Sequence, residues 1–436
     1  MRVAGKRKSM IRISGLLLIL VGLSSSPSAA QRDNNLNDEK AIKEVRKLGL
    51  GILRQIKSTL KKEYYDPNFH GIDLEQRFKA AEERIGKLET YPQIYRAIGQ
   101  VVSEFNDSHT NFFPPRMNKT ADYGFSWQMI GDRCYVVDVK KGSDAEAKGL
   151  RVGDILTGIT TYNPTRENIF LMSFLFYRLD PKERLKIFLA APGGSERELL
   201  IESKIIERKE RFNEETTSNA KPYRCQEINP DLITCKLYTF VVATTIIDSL
   251  MKEVRKHKQL ILDLRGNSGG YVATEMYLTG FFFPRDVKIA DLITRKKTEE
   301  RIAKTRKEKF TGDLIVLIDS KSYSASEVFA RVIQLEKRGQ ILGDVSAGKV
   351  MTSVYFPLYI SDPRAEFVLS VTVGDLIMID GQSLEGVGVV PDEIVLPNGF
   401  DLAEGTDPVL SRAATLFGAQ LTPAQAGKLS FLRFQR

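Results

Sequence analysis

The 436-residue sequence has few of the residues that most often build metal and redox sites. It contains three cysteines and three histidines, and no two histidines are three or four residues apart. The metalloprotease motif HExxH, the phosphate-binding motif GxxxxGK[ST] and a GxGxxG motif after a strand are all absent. These absences argue against a metal enzyme and a nucleotide-binding enzyme, so we expect no metal and no other cofactor.

The basic excess of the chain is concentrated at its N-terminus. Overall, 64 Lys and Arg oppose 55 Asp and Glu, which gives a net charge of +9. Residues 1–30 hold five of the basic residues and no acidic one, which leaves 59 against 55 in the remainder. Because the remainder is nearly balanced, the composition gives no reason to expect a nucleic-acid partner.

Residues 1–30 have the three parts of a secretory signal peptide. Basic residues up to Arg12 precede the apolar run Ile13–Leu23, and small residues at Ser28–Ala30 form a candidate cleavage site. The apolar run is short for a bilayer core, which needs about 20 residues. We therefore expect export to the periplasm or the extracellular space, with an uncleaved membrane anchor as the alternative.

Cys225 and Cys235 are the two cysteines closest in sequence. In an oxidising compartment they could close a small loop and leave Cys134 unpaired. The odd number of cysteines and the absence of a CxxC motif leave this pairing open.

Residue patterns divide the mature chain into three regions. Helical spacing of apolar residues predicts an N-terminal helical domain over residues 31–118. Short β-type runs separated by glycine turns predict a β-rich domain over residues 119–203. Two continuous apolar runs, Leu260–Leu264 and Leu314–Ile318, are typical of strands buried on both faces. With the helix that follows them, they predict an α/β core with a parallel or mixed sheet over residues 204–436.

Three serines follow the second of these strands and open a helix, in the run Ser322-Tyr-Ser-Ala-Ser-Glu327. A serine at a strand-to-helix turn lies beside free backbone N–H groups, which can stabilise an oxyanion. The same run contains Ser324-x-x-Glu327, which is a helix capping box and needs no catalytic role. The pattern alone leaves both interpretations open.

A glycine-rich turn, Asp263-Leu-Arg-Gly-Asn-Ser-Gly-Gly270, follows the first buried strand. Its glycines allow a close approach of the backbone to a ligand, and its N–H groups could bind an anion. A tight turn between a strand and a helix is the alternative interpretation.

Two side chains could act as the base for a nucleophilic serine. The imidazole of His109 has a pKa suited to proton transfer at neutral pH. Lys349 lies among small and apolar residues, which would lower the pKa of its ammonium group. A surface histidine and a surface lysine are the corresponding alternatives.

Taken together and in this order, the motifs resemble those of the C-terminal processing (tail-specific) serine proteases and the related tricorn core proteases. The similarity extends over nearly the whole mature chain and includes a PDZ-like middle region. Its landmarks are Asp107–Thr110, Leu262–Gly270, Ser322–Glu327 and Leu384–Asp392. The resemblance implies a serine endopeptidase with an N-terminal helical domain, a PDZ-like β-rich domain and an α/β protease core.

The resemblance also implies a nucleophile and an oxyanion hole. Ser324, the middle serine of its run, would attack the scissile carbonyl and form an acyl-enzyme. The backbone N–H groups of Ala325 and of Gly269 or Gly270 would stabilise the oxyanion.

The two branches of the resemblance imply different bases. The processing proteases use a lysine 25 residues after the nucleophile, which is Lys349 here. The tricorn branch uses a histidine supported by a serine and a glutamate, which would be His109, Ser108 and Glu385. The usual glutamine four residues after the lysine is Ser353 here, so we favour His109.

The run Tyr123-Gly124-Phe125-Ser126 resembles the PDZ loop that binds a peptide's C-terminal carboxylate. A peptide would add as a strand beside this loop. We therefore expect the partners to be unfolded or C-terminally exposed polypeptide substrates. A catalytically inactive binding or scaffold protein of the same fold, which would bind a peptide or a small apolar ligand, is the alternative.

Overall fold

A computed structural model describes residues 29–105, 107–115, 119–179, 181–190, 196–207, 221–359 and 367–429. The expected signal peptide lies outside these residues except for its last two positions. The chain forms two compact units, Met1–Glu44 and Val45–Arg436, and the described part of the first is the start of a long helix. Within the described ranges, no helical stretch combines the length and the hydropathy that crossing a bilayer requires.

Helices dominate the first part of the chain, as the apolar spacing predicts. They are α1 (Ala29–Glu63), a 3₁₀ turn (Phe69–Gly71), α2 (Leu74–Ile85) and α3 (Tyr91–Ser103), followed by strand β1 (Asn111–Phe113). The Asp73 carboxylate caps α2 by accepting a hydrogen bond of 3.0 Å from the Gln76 N–H. Apolar side chains on one face of α2, such as Phe78, are buried.

Residues 119–207 form a β-rich region. Its elements are β2 (Lys119–Asp122), β3 (Phe125–Ile130), β4 (Arg133–Val139), α4 (Asp144–Ala147), β5 (Ile155–Ile159), α5 (Ile169–Phe174), a π-helical turn (Leu175–Leu179), β6 (Arg184–Ala190), β7 (Glu196–Glu202) and β8 (Lys204–Glu207). Strands β3 to β7 form an antiparallel sheet in sequence order, with β3 at one edge. Strands β2 and β8 pair with each other, beside the predicted boundaries at 118 and 203.

The remainder of the chain contains two further sheets and six helices. Its elements are β9 (Tyr223–Asn229), β10 (Leu232–Leu237), α6 (Thr244–Val254), β11 (Gln259–Asp263), α7 (Val272–Thr279), β12 (Val287–Thr294), β13 (Thr298–Ala303), β14 (Asp313–Ile318), α8 (Ala325–Leu335), β15 (Gln340–Gly343), β16 (Thr352–Leu358), β17 (Phe367–Met378), β18 (Glu393–Ile394), α9 (Gly399–Glu404), α10 (Pro408–Leu416) and α11 (Pro423–Lys428). This number of helices is counted within the described residues of the region.

The central sheet is mixed, as predicted. Its order is β18-β15-β14-β11-β10-β9, and every pair is parallel except β9 with β10. Leu262 and Val316 pack with residues of α6, α7 and α8 on one face, while Ile261 and Leu317 pack with α10 and α11 on the other. Because helices cover both faces, consecutive apolar residues fill the middle of both strands, Leu260–Leu262 in β11 and Leu314–Ile318 in β14.

The N-terminal helices pack against the second, antiparallel sheet. In this sheet β17 pairs with β1, β12 and β16. Phe367, Leu369 and Val371 on β17 share one apolar cluster with buried residues of α1, α2 and α3. The helices within residues 45–103 therefore share their core with strands from the far end of the chain.

Cys225 and Cys235 lie directly opposite each other on β9 and β10 and form a disulfide. Cys134 is buried and unpaired. The register of the β9–β10 pair thus settles a pairing that the cysteine spacing leaves open.

A buried ion network holds the glycine-rich turn to the C-terminal helices. The Arg265 guanidinium donates two hydrogen bonds to the Asp407 carboxylate, of 2.9 and 2.8 Å, and also pairs with Asp263. The ammonium group of Lys236 lies 3.3 Å from Asp263 Oδ1. Two cations therefore balance two carboxylates away from water, and loss of one charge leaves the others uncompensated.

We predict that Asp407→Asn lowers the free energy of unfolding by about 3 kcal/mol, the scale for breaking a buried ion pair. The matched control is Asp231→Asn, which breaks the exposed pair between Asp231 and Lys258 and is expected to cost less than about 1 kcal/mol. Urea unfolding of the three proteins measures both values. Equal stability of the two variants would contradict the role given to the network.

Candidate active site

The two motif-bearing turns meet because β11 and β14 are adjacent parallel strands. The Tyr323 N–H donates a hydrogen bond of 3.0 Å to the Asn267 carbonyl, which joins the serine run to the glycine turn. A cavity of about 210 Å³ opens where they meet, and Ser324, Ala325, Gly270 and His109 all line it. The fold therefore brings together the predicted nucleophile, two predicted oxyanion groups and one predicted base.

The surroundings distinguish the three serines of the run. The Ser322 hydroxyl is buried and donates to the Leu264 carbonyl at 2.9 Å. The Ser326 hydroxyl is buried and donates to the Asn267 carbonyl at 3.0 Å. Among the described residues, the Ser324 hydroxyl donates no hydrogen bond, and Ser324 alone of the three lines the cavity.

The backbone of Ser324 is strained, with φ 54° and ψ −116°. A side chain in this region costs about 1–3 kcal/mol, which the surroundings must offset. The Ser324 N–H donates to Glu327 Oε2 at 2.9 Å and lies 3.1 Å from the Lys349 carbonyl. These contacts hold the backbone of Ser324 at the start of α8.

Glu327 accepts more hydrogen bonds than the predicted helix capping requires. Its Oε1 accepts hydrogen bonds from the Ser346 hydroxyl and the Gly348 N–H, and its Oε2 accepts from the N–H groups of Ser324 and Lys349. Burial raises the pKa of this carboxyl to about 7, although the four hydrogen bonds favour the ionised form. Glu327 therefore joins Ser324 to the loop that carries Lys349.

Two backbone N–H groups are available for an oxyanion. Among the described residues, neither the Gly270 N–H nor the Ala325 N–H has an acceptor. The Gly269 N–H, in contrast, donates to Asn267 Oδ1 at 2.9 Å. The left-handed φ of Gly269, 85°, lets its backbone pass next to Ser324 without a Cβ in the way. The geometry thus favours Gly270 over Gly269 as the second donor.

His109 belongs to a chain of polar groups. Its Nδ1 lies 2.5 Å from the Ser108 hydroxyl, which donates to Glu385 Oε2 at 3.0 Å. The Ser108 N–H also donates to Glu385 Oε1, and the Val350 N–H donates to Oε2. With Nδ1 engaged in this chain, Nε2 is the nitrogen left for proton transfer. No hydrogen bond joins Ser324 to His109 in the described residues, and such bonds often form only when substrate binds.

Asp107 fixes the loop that carries His109. Its Oδ1 accepts hydrogen bonds from the N–H groups of His109 and Thr110 and from the Thr372 hydroxyl, and its Oδ2 accepts from the Tyr64 hydroxyl. These partners come from the residue that follows α1, from the loop itself and from β17. Asp107 thus ties the loop both to the N-terminal helices and to the antiparallel sheet.

The site shifts the pKa values of its titratable groups. Burial, the largest cause, and the nearby Lys349 together lower the pKa of His109 to about 4, although Asp107 opposes the shift. Burial also raises the pKa of Glu385 and lowers that of Lys349. His109 is therefore neutral, and able to accept a proton, at any pH above about 4.

Lys349 lies near the site but contacts an aromatic ring. Its Nζ is 3.9 Å from the centre of the Phe170 ring on α5, a cation–π contact. The Phe170 ring also contacts that of Tyr323, at 6.4 Å between centres. Lys349 thus links the loop beside Ser324 to the β-rich region.

The four predicted peptide-binding residues lie away from the cavity, in the β-rich region. The Tyr123 hydroxyl is buried and donates to the Phe176 carbonyl at 3.0 Å, and the Gly124 N–H donates to Asp122 Oδ1. On the edge strand β3, Phe125 is buried and Ser126 is half-buried. The groups of this loop are thus engaged within the protein in the described structure.

The sequence did not predict that the carboxylates of Glu327 and Asp107 each accept four hydrogen bonds. Both residues stand in the motifs quoted above, Glu327 as a capping residue and Asp107 at the start of Asp107–Thr110. Their position beside Ser324 and His109 was the available signal. Their partners on the loop 346–349 and on β17 are distant in sequence and could not be read from it.

Comparison with known proteins supports the motif-based resemblance. A family model described as peptidase family S41 matches residues 235–395. The tail-specific protease of Haemophilus influenzae is 27% identical over 357 residues, which are 76% of this chain and 49% of that protein. A probable CtpA-like serine protease of Staphylococcus aureus is 23% identical over 310 residues, 68% of this chain and 58% of that protein. The chain spans about half the length of these curated relatives.

Two solved structures have the same fold. Mature CPAF matches with a TM-score of 0.64 and 14% identity, over 83% of this chain and 94% of that one. The photosystem II D1 C-terminal processing protease matches with a TM-score of 0.53 and 19% identity, over 87% and 99%. The resemblance drawn from the motifs is therefore confirmed by the match of residues 235–395 to the model of peptidase family S41.

Proposed function

We propose that the protein is a serine endopeptidase that cleaves unfolded or C-terminally recognised polypeptides. One observation carries the proposal: the Ser324 hydroxyl, the free N–H groups of Gly270 and Ala325, and His109 line one cavity. These are the parts that acyl transfer requires, namely a nucleophile, an oxyanion hole and a base. The relatives named as a tail-specific protease and a probable CtpA-like serine protease support the same activity.

In the proposed mechanism, the Ser324 oxygen attacks the scissile carbonyl while His109 Nε2 takes its proton. The oxyanion that forms is stabilised by the N–H groups of Gly270 and Ala325. His109 then returns the proton to the leaving amine, and an acyl-enzyme remains on Ser324 until water hydrolyses it. The Ser108–Glu385 chain orients the imidazole and stabilises its charged form during each transfer.

Recognition of C-termini is proposed for the β-rich region, as a PDZ-like domain. Its edge strand β3 could accept a peptide as an added strand, and the loop at Tyr123–Ser126 would bind the terminal carboxylate. The Tyr177 hydroxyl now donates to the Phe125 carbonyl on β3 at 3.2 Å. Peptide binding there would require this contact to open. Export through the signal peptide to the periplasm or the extracellular space completes the proposal.

Digestion of unfolded casein by the mature protein tests the activity, with Ser324→Ala as the comparison and Ser326→Ala as a matched control. We expect wild type and Ser326→Ala to cleave, because the Ser326 hydroxyl only supports the turn. Ser324→Ala should not cleave. Equal cleavage by wild type and Ser324→Ala would contradict the proposal. No cleavage by either would favour the binding or scaffold protein.

A further inference from the structure

Apolar side chains form part of the wall of the cavity beside Ser324, next to the polar residues Thr352 and Ser353. The apolar side chains are those of Val272, Met276, Ile289, Val328, Val350, Met351 and Leu376. In a peptidase, the side chain of the P1 residue, whose carbonyl is attacked, must lie beside the nucleophile and the oxyanion donors. A cavity of about 210 Å³ in this position has room for one long side chain. It is the place for the P1 side chain if the proposed function is correct.

One carboxyl group lies among these apolar side chains. Glu275, on α7, lines the cavity and is only 2% exposed. Its Oε1 accepts a hydrogen bond of 2.8 Å from the Thr279 hydroxyl, one turn along the same helix. Among the described residues, Oε2 has no hydrogen-bond donor, and no cation lies within ion-pair distance of this carboxyl. Buried carboxylates are normally paired, so the missing partner requires an explanation.

The proposed mechanism does not use Glu275, and no neighbouring charge balances it. The other titratable groups that line the cavity are His109, which is bonded to Ser108, and Arg301 on β13, which lies 3.8 Å from Glu299. Helix α8 contributes Ala325 and Val328 to the cavity wall, and neither side chain carries a charge. Burial raises the pKa of Glu275 to about 8, so the group keeps its proton in neutral solution until a cation arrives.

We propose, on the basis of the peptidase function above, that the cavity is the P1 subsite and that Glu275 makes it select lysine. The four-carbon stem of a lysine would pack against the apolar side chains of the wall, and its ammonium group would supply the cation that Glu275 lacks. An aliphatic P1 residue would gain the same apolar contacts but would leave the carboxyl without a partner. An acidic P1 residue would be rejected, because two carboxyl groups would share one buried space.

Two peptides that differ only at P1 test the proposal, one with lysine and one with norleucine, which has the same number of side-chain carbons without the ammonium group. At pH 8.5 we expect the wild-type kcat/KM for lysine to exceed that for norleucine by at least about tenfold, the scale of one hydrogen bond to a charged group. Glu275→Gln keeps the side-chain shape and removes the charge, so the ratio should fall to about one or below. Glu300→Gln, a change at an exposed position on β13, should keep the wild-type ratio.

The possible outcomes distinguish the role of Glu275 from the peptidase function. If the wild-type enzyme cleaved the norleucine and lysine peptides with equal kcat/KM, the role of Glu275 would be overturned. The peptidase function would still stand. A Glu275→Gln variant that keeps the wild-type ratio would overturn that role in the same way. The wild-type comparison is decisive even if Glu275→Gln fails to fold. Cleavage of neither peptide, nor of casein, would overturn the proposed function and this inference with it.

Discussion

Replacement of His109 by alanine is expected to lower kcat by at least about 10²-fold, the scale of losing a general base. His109 lines the same cavity as Ser324, and its Nδ1 is held by Ser108, so its Nε2 is free to take the serine proton. Glu385→Gln should lower kcat less, because that carboxylate supports the imidazole through Ser108 and does not move the proton itself.

Lys349→Ala should have the smallest effect of the three. The Lys349 ammonium group lies against the Phe170 ring and has no supporting chain of polar groups comparable to that of His109. Steady-state kinetics on one peptide substrate ranks the variants. If Lys349→Ala abolished activity while His109→Ala kept most of it, the lysine would be the base and the histidine assignment would be wrong.

The protonation of His109 can be followed directly, because the chain has only three histidines. Burial and the charge of Lys349 lower its pKa to about 4, so we expect its NMR signals to titrate near pH 4 and the neutral form to persist above that. Removing the cation with Lys349→Met should move the midpoint upward. A midpoint near the ordinary value of about 6.5, unmoved in the variant, would contradict the described environment.

Gly269→Ala is expected to lower kcat by about 10²- to 10³-fold, the scale of losing one oxyanion donor. A Cβ on Gly269 would lie 2.9 Å from Ser324 Cβ and 3.0 Å from the Ala325 nitrogen. The first distance is shorter than real Cβ contacts allow, and the second is tighter than most of them. The nucleophile and one oxyanion donor must therefore move away from the Gly270 N–H.

Gly266→Ala is the matched control for this prediction. Gly266 lies in the same turn and also has a left-handed φ, 70°, but a Cβ there would have no atom within 4 Å. It imposes the same kind of backbone strain without touching Ser324. Similar activity of the two variants, measured at equal folded fractions, would show that the close approach of Gly269 to the nucleophile is unimportant.

The central sheet could be predicted from sequence because its signals are local. The apolar runs Leu260–Leu264 and Leu314–Ile318 do lie in buried parallel strands, with a helix after each. The packing of the N-terminal helices could not be predicted in this way. It depends on Phe367, Leu369 and Val371. Their apolar side chains predict burial but do not indicate which element covers them.

Only part of the candidate site could be predicted from the sequence, because contacts between distant residues leave no local pattern. Spacing alone left Ser324 with two interpretations, and the structure separates it from Ser322 and Ser326 by burial and hydrogen bonding. The contact between Ser108 and Glu385 joins positions 277 residues apart, so no local pattern reveals it. Only the family resemblance placed these residues together in advance.

The identity of the nucleophile is the central claim, and covalent labelling with a fluorophosphonate reagent tests it most directly. The reagent phosphonylates an activated serine, and mass spectrometry of the digested protein locates the adduct. We expect one adduct, on Ser324, in the wild type and in Ser322→Ala, and strongly slowed labelling in His109→Ala. An adduct on Ser322 or Ser326, or proteolytic activity without any labelled serine, would contradict the account.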